Sequence, residues 1–171
     1  MRARLVRLLQ DAHAGELAAA LAYRSHARSL WRRPAERSEV RRIEGAEWHH
    51  RALVAAMLDE LGERPRRPRE LLMGFVGRFF GLLCFVGGHF GPMYAAGRLE
   101  AMNVGQYADA ESLATSLGLT AYSGQLVEMT AEEDRHERWF GDRVRGHLLL
   151  RPASAVLGWT PPDPVAELSP P

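Results

Sequence analysis

Two short runs place a carboxylate and an imidazole three positions apart: Glu47-Trp-His-His50 and Glu133-Asp-Arg-His136. On a helix, positions i and i+3 share a face, so each run can offer one carboxylate oxygen and one ring nitrogen to the same metal ion. Motifs this short also arise by chance, so their placement matters more than their number. Both lie on an apolar stripe. Around the first, the stripe reads Val40, Ile43, Glu47, His50, Val54, Met57 and Leu61; around the second, Leu126, Met129, Glu133, His136, Phe140 and Val144. A glutamate on such a stripe points at the core, where unpaired charge is almost never found.

Two further glutamates behave alike. Glu16 sits among Leu9, Ala12, Ala19, Ala20 and Tyr23, and Glu100 among Met93, Ala96, Gly97, Val104 and Tyr107. Glu16 precedes Glu47 by 31 positions and Glu100 precedes Glu133 by 33. In each half, a tyrosine follows the first glutamate by seven residues: Tyr23 and Tyr107. The chain thus reads as two helical hairpins, each supplying Glu and then Glu-x-x-His. That is the ligand inventory of a di-iron carboxylate bundle. Four carboxylates balance two divalent ions, and mixed oxygen and imidazole donors suit iron, with manganese as the second choice. The metal-free alternative is a buried network of ion pairs and hydrogen bonds among the same six residues.

Other candidates carry less. His13 lies one turn before Glu16, where it is either a support for a ligand or an ordinary interior or surface histidine. Tyr23 and Tyr107 are open to two readings: hydrogen-bond donors or radical-capable groups beside the metals, or core tyrosines with a buried hydroxyl. His49 points off the metal face, and His26, His89 and His147 read as structural.

The elements that must position these groups are helices throughout. Periodicity predicts them at 3–31, 36–62, 69–90, 92–117 and 120–149. Pro34 suits a first helical turn, Gly91-Pro92 interrupts or kinks the third segment, and Gly118 suits a helix end. The expectation is an all-α, ferritin-like four-helix bundle with an extra apolar helical segment. It spans 1–150, followed by an irregular Pro-rich tail over 151–171. The segment from Leu71 to Ala96 is the most apolar, but Arg78, His89, Pro92 and six glycines argue against a simple membrane span. It reads first as a buried or partly buried helix. The other readings are a helix lying on a membrane surface, with Arg64, Arg66, Arg67 and Arg69 meeting anionic headgroups, and a contact in a homo-oligomer.

Composition sets the outer bounds. The chain has 171 residues and a formal net charge of +1, so no polyelectrolyte partner such as nucleic acid is implied. All 22 basic residues are arginine, and Cys84 is the single cysteine, so no internal disulfide can form. The N-terminus lacks a signal-like apolar run, and the reading is cytoplasmic, with the inner membrane face as a peripheral site.

Several of these runs resemble one family. Asp11-Ala-His-Ala-Gly-Glu-Leu-Ala-Ala-Ala-Leu-Ala-Tyr23 is similar to the first-helix signature of the demethoxyubiquinone hydroxylases, ferritin-like di-iron monooxygenases of ubiquinone biosynthesis. Glu44-Gly-Ala-Glu-Trp-His-His50, the glycine-rich stretch 73–97 leading into Glu100, and Ala131-Glu-Glu-Asp-Arg-His136 resemble their remaining ligand segments. The likeness covers roughly residues 10–148. It implies Glu16, Glu47, His50, Glu100, Glu133 and His136 as catalytic metal ligands, two irons, and peripheral membrane access to a lipophilic quinone. The family's His-Tyr pair after Glu100 has no full counterpart, since Ala101-Met-Asn-Val-Gly-Gln-Tyr107 supplies the tyrosine without the histidine. The expected activity is oxidoreductase chemistry: O₂ activation to hydroxylate or oxidise a small apolar substrate, with an external electron donor. The alternatives are iron handling, as ferroxidase or peroxide scavenger, and a non-enzymatic helical interaction module.

Overall fold

The computed structural model describes residues 1–164 and is helical, with no strand among them. Six helices follow in order: α1 (Arg2–Ser29), α2 (Pro34–Glu60), α3 (Arg67–Leu83), α4 (Phe90–Ser116), α5 (Thr120–Val144) and α6 (Leu150–Leu157). Pro34 opens α2, where its missing N–H costs nothing. Gly118 turns the chain between α4 and α5 at φ +73°, a conformation that glycine adopts without strain.

Helix α1 packs along α2, and α4 along α5, forming two hairpins joined mainly through α1 and α4. Two apolar clusters fill the interior. One gathers Leu5 and Leu9 of α1, Met57 and Leu58 of α2, Ala110 and Ala114 of α4, and Leu126 and Met129 of α5. The other gathers Tyr23 and Ala27, Val40 and Ile43, Met93 and Ala96, and Phe140 and Val144 from the same four helices. Helix starts meet helix ends in each cluster, so both hairpins are antiparallel. Glu16, Glu47, Glu100 and Glu133 occupy the layer between the clusters.

Two expectations change. The segment 69–90 is partly buried, one of the two forms expected of it, but it is not a single helix. It ends at Leu83, and Gly88 reverses the chain at φ +64° before α4. Only its glycine face packs: Gly74, Gly77 and Gly81 are buried, while Leu71, Phe75 and Leu82 are 77%, 68% and 68% exposed. Helix α3 approaches α1 so closely that a Cβ on Gly77 would lie 2.4 Å from the Ala18 carbonyl oxygen. The second change concerns the segment from Arg151, expected to be irregular. Helix α5 stops at Val144, Gly146 turns at φ +78°, and α6 follows with Pro152 in its first turn. Proline in a first turn breaks no helical hydrogen bond, so a proline-rich stretch can begin as a helix. Trp159 is then buried on α4 and α5, its Nε1 donating to Glu137 at 2.8 Å while its carbonyl accepts from Tyr94 Oη at 2.8 Å. The end of the expected tail, 165–171, lies outside the described residues.

Candidate metal centre

The chain folds its two Glu-x-x-His runs onto facing helices because each run interrupts an otherwise apolar stripe that must be buried. Glu16 from α1, Glu47 and His50 from α2, Glu100 from α4, and Glu133 and His136 from α5 converge, none more than 2% exposed. Donor atoms of Glu16, Glu47, His50 and Glu133 all lie within 4.8 Å of one another, and so do those of Glu47, Glu100, Glu133 and His136. Glu47 and Glu133 belong to both groups. The six residues therefore form two adjoining four-donor sets with two shared carboxylates, the arrangement that a pair of bridged cations requires.

The polar atoms in this layer are largely unmatched. Glu16 Oε2, both carboxylate oxygens of Glu47 and Glu133, His50 Nδ1 and both ring nitrogens of His136 lack hydrogen-bond partners. Buried polar groups are paired in stable proteins, and orphaned ones call for an explanation such as an ion. His50 Nδ1 lies 2.9 Å from Glu133 Oε1, and His136 Nδ1 lies 3.7 Å from oxygens of both Glu47 and Glu133, so both Nδ1 atoms face the carboxylates. The donor set and its orphaned atoms fit divalent cations.

Charge tells the same story. Burial, reinforced by the Glu133 charge, pushes the Glu16 carboxyl up to about 7, and burial with neighbouring carboxylates raises Glu47 and Glu100 well above the ordinary range. Burial also pushes Glu133 upward, but the close approach of His136, His50 and Glu100 outweighs it and holds Glu133 below the usual range. Burial works against the His50 imidazolium, yet the bond and charge of Glu133 outweigh it and raise its pKa. Four carboxylates at this spacing cannot all be ionised without compensating positive charge.

Three supports surround the six. Tyr23 of α1 donates to Glu100 of α4, and Tyr107 of α4 donates to Glu16 of α1. Each tyrosine thus serves the glutamate of the other hairpin, and the pair ties α1 to α4 across the centre. Burial and adjacent carboxylates raise both phenols well above 10, so each remains a donor. Glu132 is the support that motif reading misses. Its Oε2 lies 3.2 Å from His50 Nε2 and its Oε1 3.9 Å from His136 Nε2. One carboxylate thus stands behind both imidazoles, leaving each Nδ1 to the centre. His13 stands apart from the six. Its Nδ1 pairs with Glu70 Oε1 of α3 at 2.8 Å, and Glu70 Oε2 accepts from Arg51 of α2 at 2.6 Å. His13 therefore anchors α3 and touches no ligand carboxylate. His49 is exposed, as its position off the metal face predicts.

No family model, curated protein or solved structure matches this chain.

Proposed function

We propose that this chain is a ferritin-like di-iron oxidoreductase that activates O₂ to hydroxylate or oxidise an apolar, quinone-like substrate. The observation that carries the reading is the pair of four-donor sets sharing Glu47 and Glu133. Bound there as a reduced pair, two irons would supply two electrons to O₂, and an external donor would restore them. The residues of the chain do the rest. Glu47 and Glu133, common to both donor sets, would hold both irons, with Glu16 and His50 completing one set and Glu100 and His136 the other. Tyr23 and Tyr107 fix the terminal carboxylates by hydrogen bonds. Glu132, bonded to His50 Nε2, holds that ring in the tautomer that leaves Nδ1 free, and its second oxygen stands near His136 Nε2. The apolar clusters above and below keep bulk water away, which strengthens every charge interaction inside.

The symmetric ligand set favours this reading over iron storage, because both ends of the centre carry an imidazole. Access for an apolar substrate is supported by α3, whose exposed face carries Leu71, Leu72, Phe75, Phe79 and Leu82. No helix among the described residues is long and apolar enough to cross a membrane. A helix lying in the membrane surface, with Arg64, Arg66 and Arg67 exposed at its leading end, matches this pattern.

The test is iron per chain after anaerobic loading with Fe(II) and removal of loosely held metal. About two per chain are expected, following the two-metal donor count. Glu47→Ala and His136→Ala should each lose metal and any oxidase activity. Full occupancy in both variants would sink the ligand assignment. Glu133→Ala tolerated without change, together with no metal in the wild type, would favour the interaction module instead.

A further inference from the structure

The six ligands are sealed on most sides, yet a cation must reach them. The α1–α2 and α4–α5 contacts are continuous, and α3 covers the outer side of α1. Helices α2 and α5, which carry both imidazoles, have few close backbone approaches and meet through side chains, among them His50 with Glu132 and Glu133 and Tyr122 with Glu60. Between them lies a solvent-facing cleft of about 340 Å³. Of the six ligands only His50 lines it, and the other walls include His49, Gln125, Glu128 and Glu132. These four are oxygen and nitrogen donors and share the walls with apolar Leu53, Met129 and Ala131, whereas the exposed face of α3 presents leucines and phenylalanines.

We propose that the α2–α5 cleft is the port through which divalent cations load the centre, with Glu128 and His49 receiving the hydrated ion and Glu132 passing it to His50. This inference rests on the two-metal reading of the site. Its geometry is independent of the function assigned to the metal. Glu132 spans the step: it is partly exposed in the cleft, and its oxygens reach toward Nε2 of His50 and of the fully buried, unpartnered His136. A hydrated divalent ion gives up water reluctantly, so a ladder of carboxylate and imidazole donors lowers the barrier by exchanging waters one at a time. Arg135 also lines the cleft, and its positive charge opposes an incoming cation. Charge at the mouth of a cleft alters the arrival rate more than the final affinity.

The experiment is anaerobic stopped-flow uptake of Co²⁺ by the metal-free full chain, followed by cobalt absorption, with final cobalt per chain measured separately. Glu128→Gln should slow uptake roughly three- to tenfold at low salt, and Arg135→Gln should speed it by a similar factor. Both should reach the wild-type stoichiometry, and both effects should shrink as salt rises. Leu53→Trp, which fills the cleft without changing charge, should also slow uptake at unchanged stoichiometry. The opposite signs of the two charge variants are the discriminating arm, because general loosening of the fold would move both rates the same way. Unchanged rates in all three variants, or charge effects of the same sign, would overturn the port. A wild-type chain that takes up no cobalt would overturn the two-metal reading beneath it.

Discussion

Burial favours a proton on Glu16 that it would have to lose to hold a metal, and the tension can be measured. Its pKa of about 7 in the folded apo chain lies above the ordinary 4.5. A raised folded pKa means that folding favours the protonated form. That contribution is present below pH 4.5 and is lost as the pH rises through about 7. Glu16→Gln keeps the shape and still accepts from Tyr107, but it carries no charge at any pH. The apo variant should match the wild type near pH 5 and exceed its stability at pH 8, by on the order of 3 kcal/mol at most. His26, buried against Phe140 and pushed down to about 4 by that burial, works with the opposite sign as pH falls below 6.5. It is common to both proteins and cancels in the difference. Glu133, held low, acts only below pH 4.5. With cobalt bound the order should reverse, since the variant has lost an anionic ligand. Chemical unfolding at the two pH values, with and without metal, reads all four numbers. An apo variant less stable than wild type at pH 8 would refute clustering of the carboxylates. Six of the residues in this layer were legible because glutamates on apolar stripes violate the burial rule. Glu132 was not, since a glutamate beside another on a helix looks like ordinary surface. The crossing of Tyr23 to Glu100 and Tyr107 to Glu16 was not legible either, because sequence spacing shows the tyrosines but not which hairpin they serve.

Among the elements, α3 shows where periodicity misleads. Glycines at 74, 77 and 81 follow helical spacing, and they, not the leucines and phenylalanines around them, form the packed face. The apolar majority suggested burial, yet close approach to α1 needs the smallest residues. The four long helices were legible from their stripes, and α6 was hidden by the prolines of the segment, of which only Pro152, in its first turn, lies within the helix. The packing yields a paired prediction. Gly77→Ala places a Cβ 2.4 Å from the Ala18 carbonyl oxygen and 2.7 Å from its Cα, and backbone cannot yield as a side chain does. Overpacking of this kind costs about 1–3 kcal/mol, more than the helix propensity gained. Gly105→Ala, on an exposed stretch of α4 with no atom within 4 Å of the new methyl, should instead stabilise by about 0.5–1 kcal/mol. Thermal unfolding compares them. Metal stoichiometry should stay at the wild-type value in both, because neither new methyl meets a candidate ligand. Equal stabilisation by the two alanines would show that α3 does not pack on α1 as described.

The whole molecule has two unlike flanks. One carries the α2–α5 cleft, where His49, Glu128, Glu132 and Arg135 stand among apolar walls, and the other carries α3, with exposed Phe75, Phe79, Phe80 and Leu82 along its length. Basic groups stand at both ends of that apolar face. Arg64, Arg66 and Arg67 precede α3, and at its far end the α1–α2 loop brings Arg32, stacked on a 69%-exposed Trp31, beside Phe85. An apolar helix flanked by arginines and an exposed tryptophan suits the boundary between anionic headgroups and acyl chains, where each basic residue near the surface adds about 1 kcal/mol. The chain should therefore co-sediment with vesicles containing anionic lipid, and weakly with neutral ones. Phe75→Glu combined with Phe79→Glu should cut vesicle binding at least tenfold, since burying each phenylalanine is worth roughly 1.5–3 kcal/mol and 1.4 kcal/mol is a factor of ten. Metal per chain should not change, because neither residue approaches the centre. Raising salt should weaken the wild type only in part, as it screens the arginines and leaves the apolar contact intact. Sedimentation velocity of the same proteins without lipid separates the rival occupant. A wild-type dimer that becomes monomeric in the double variant, with vesicle binding absent in both, would assign the α3 face to a second copy of the chain and remove the membrane from the account of substrate access.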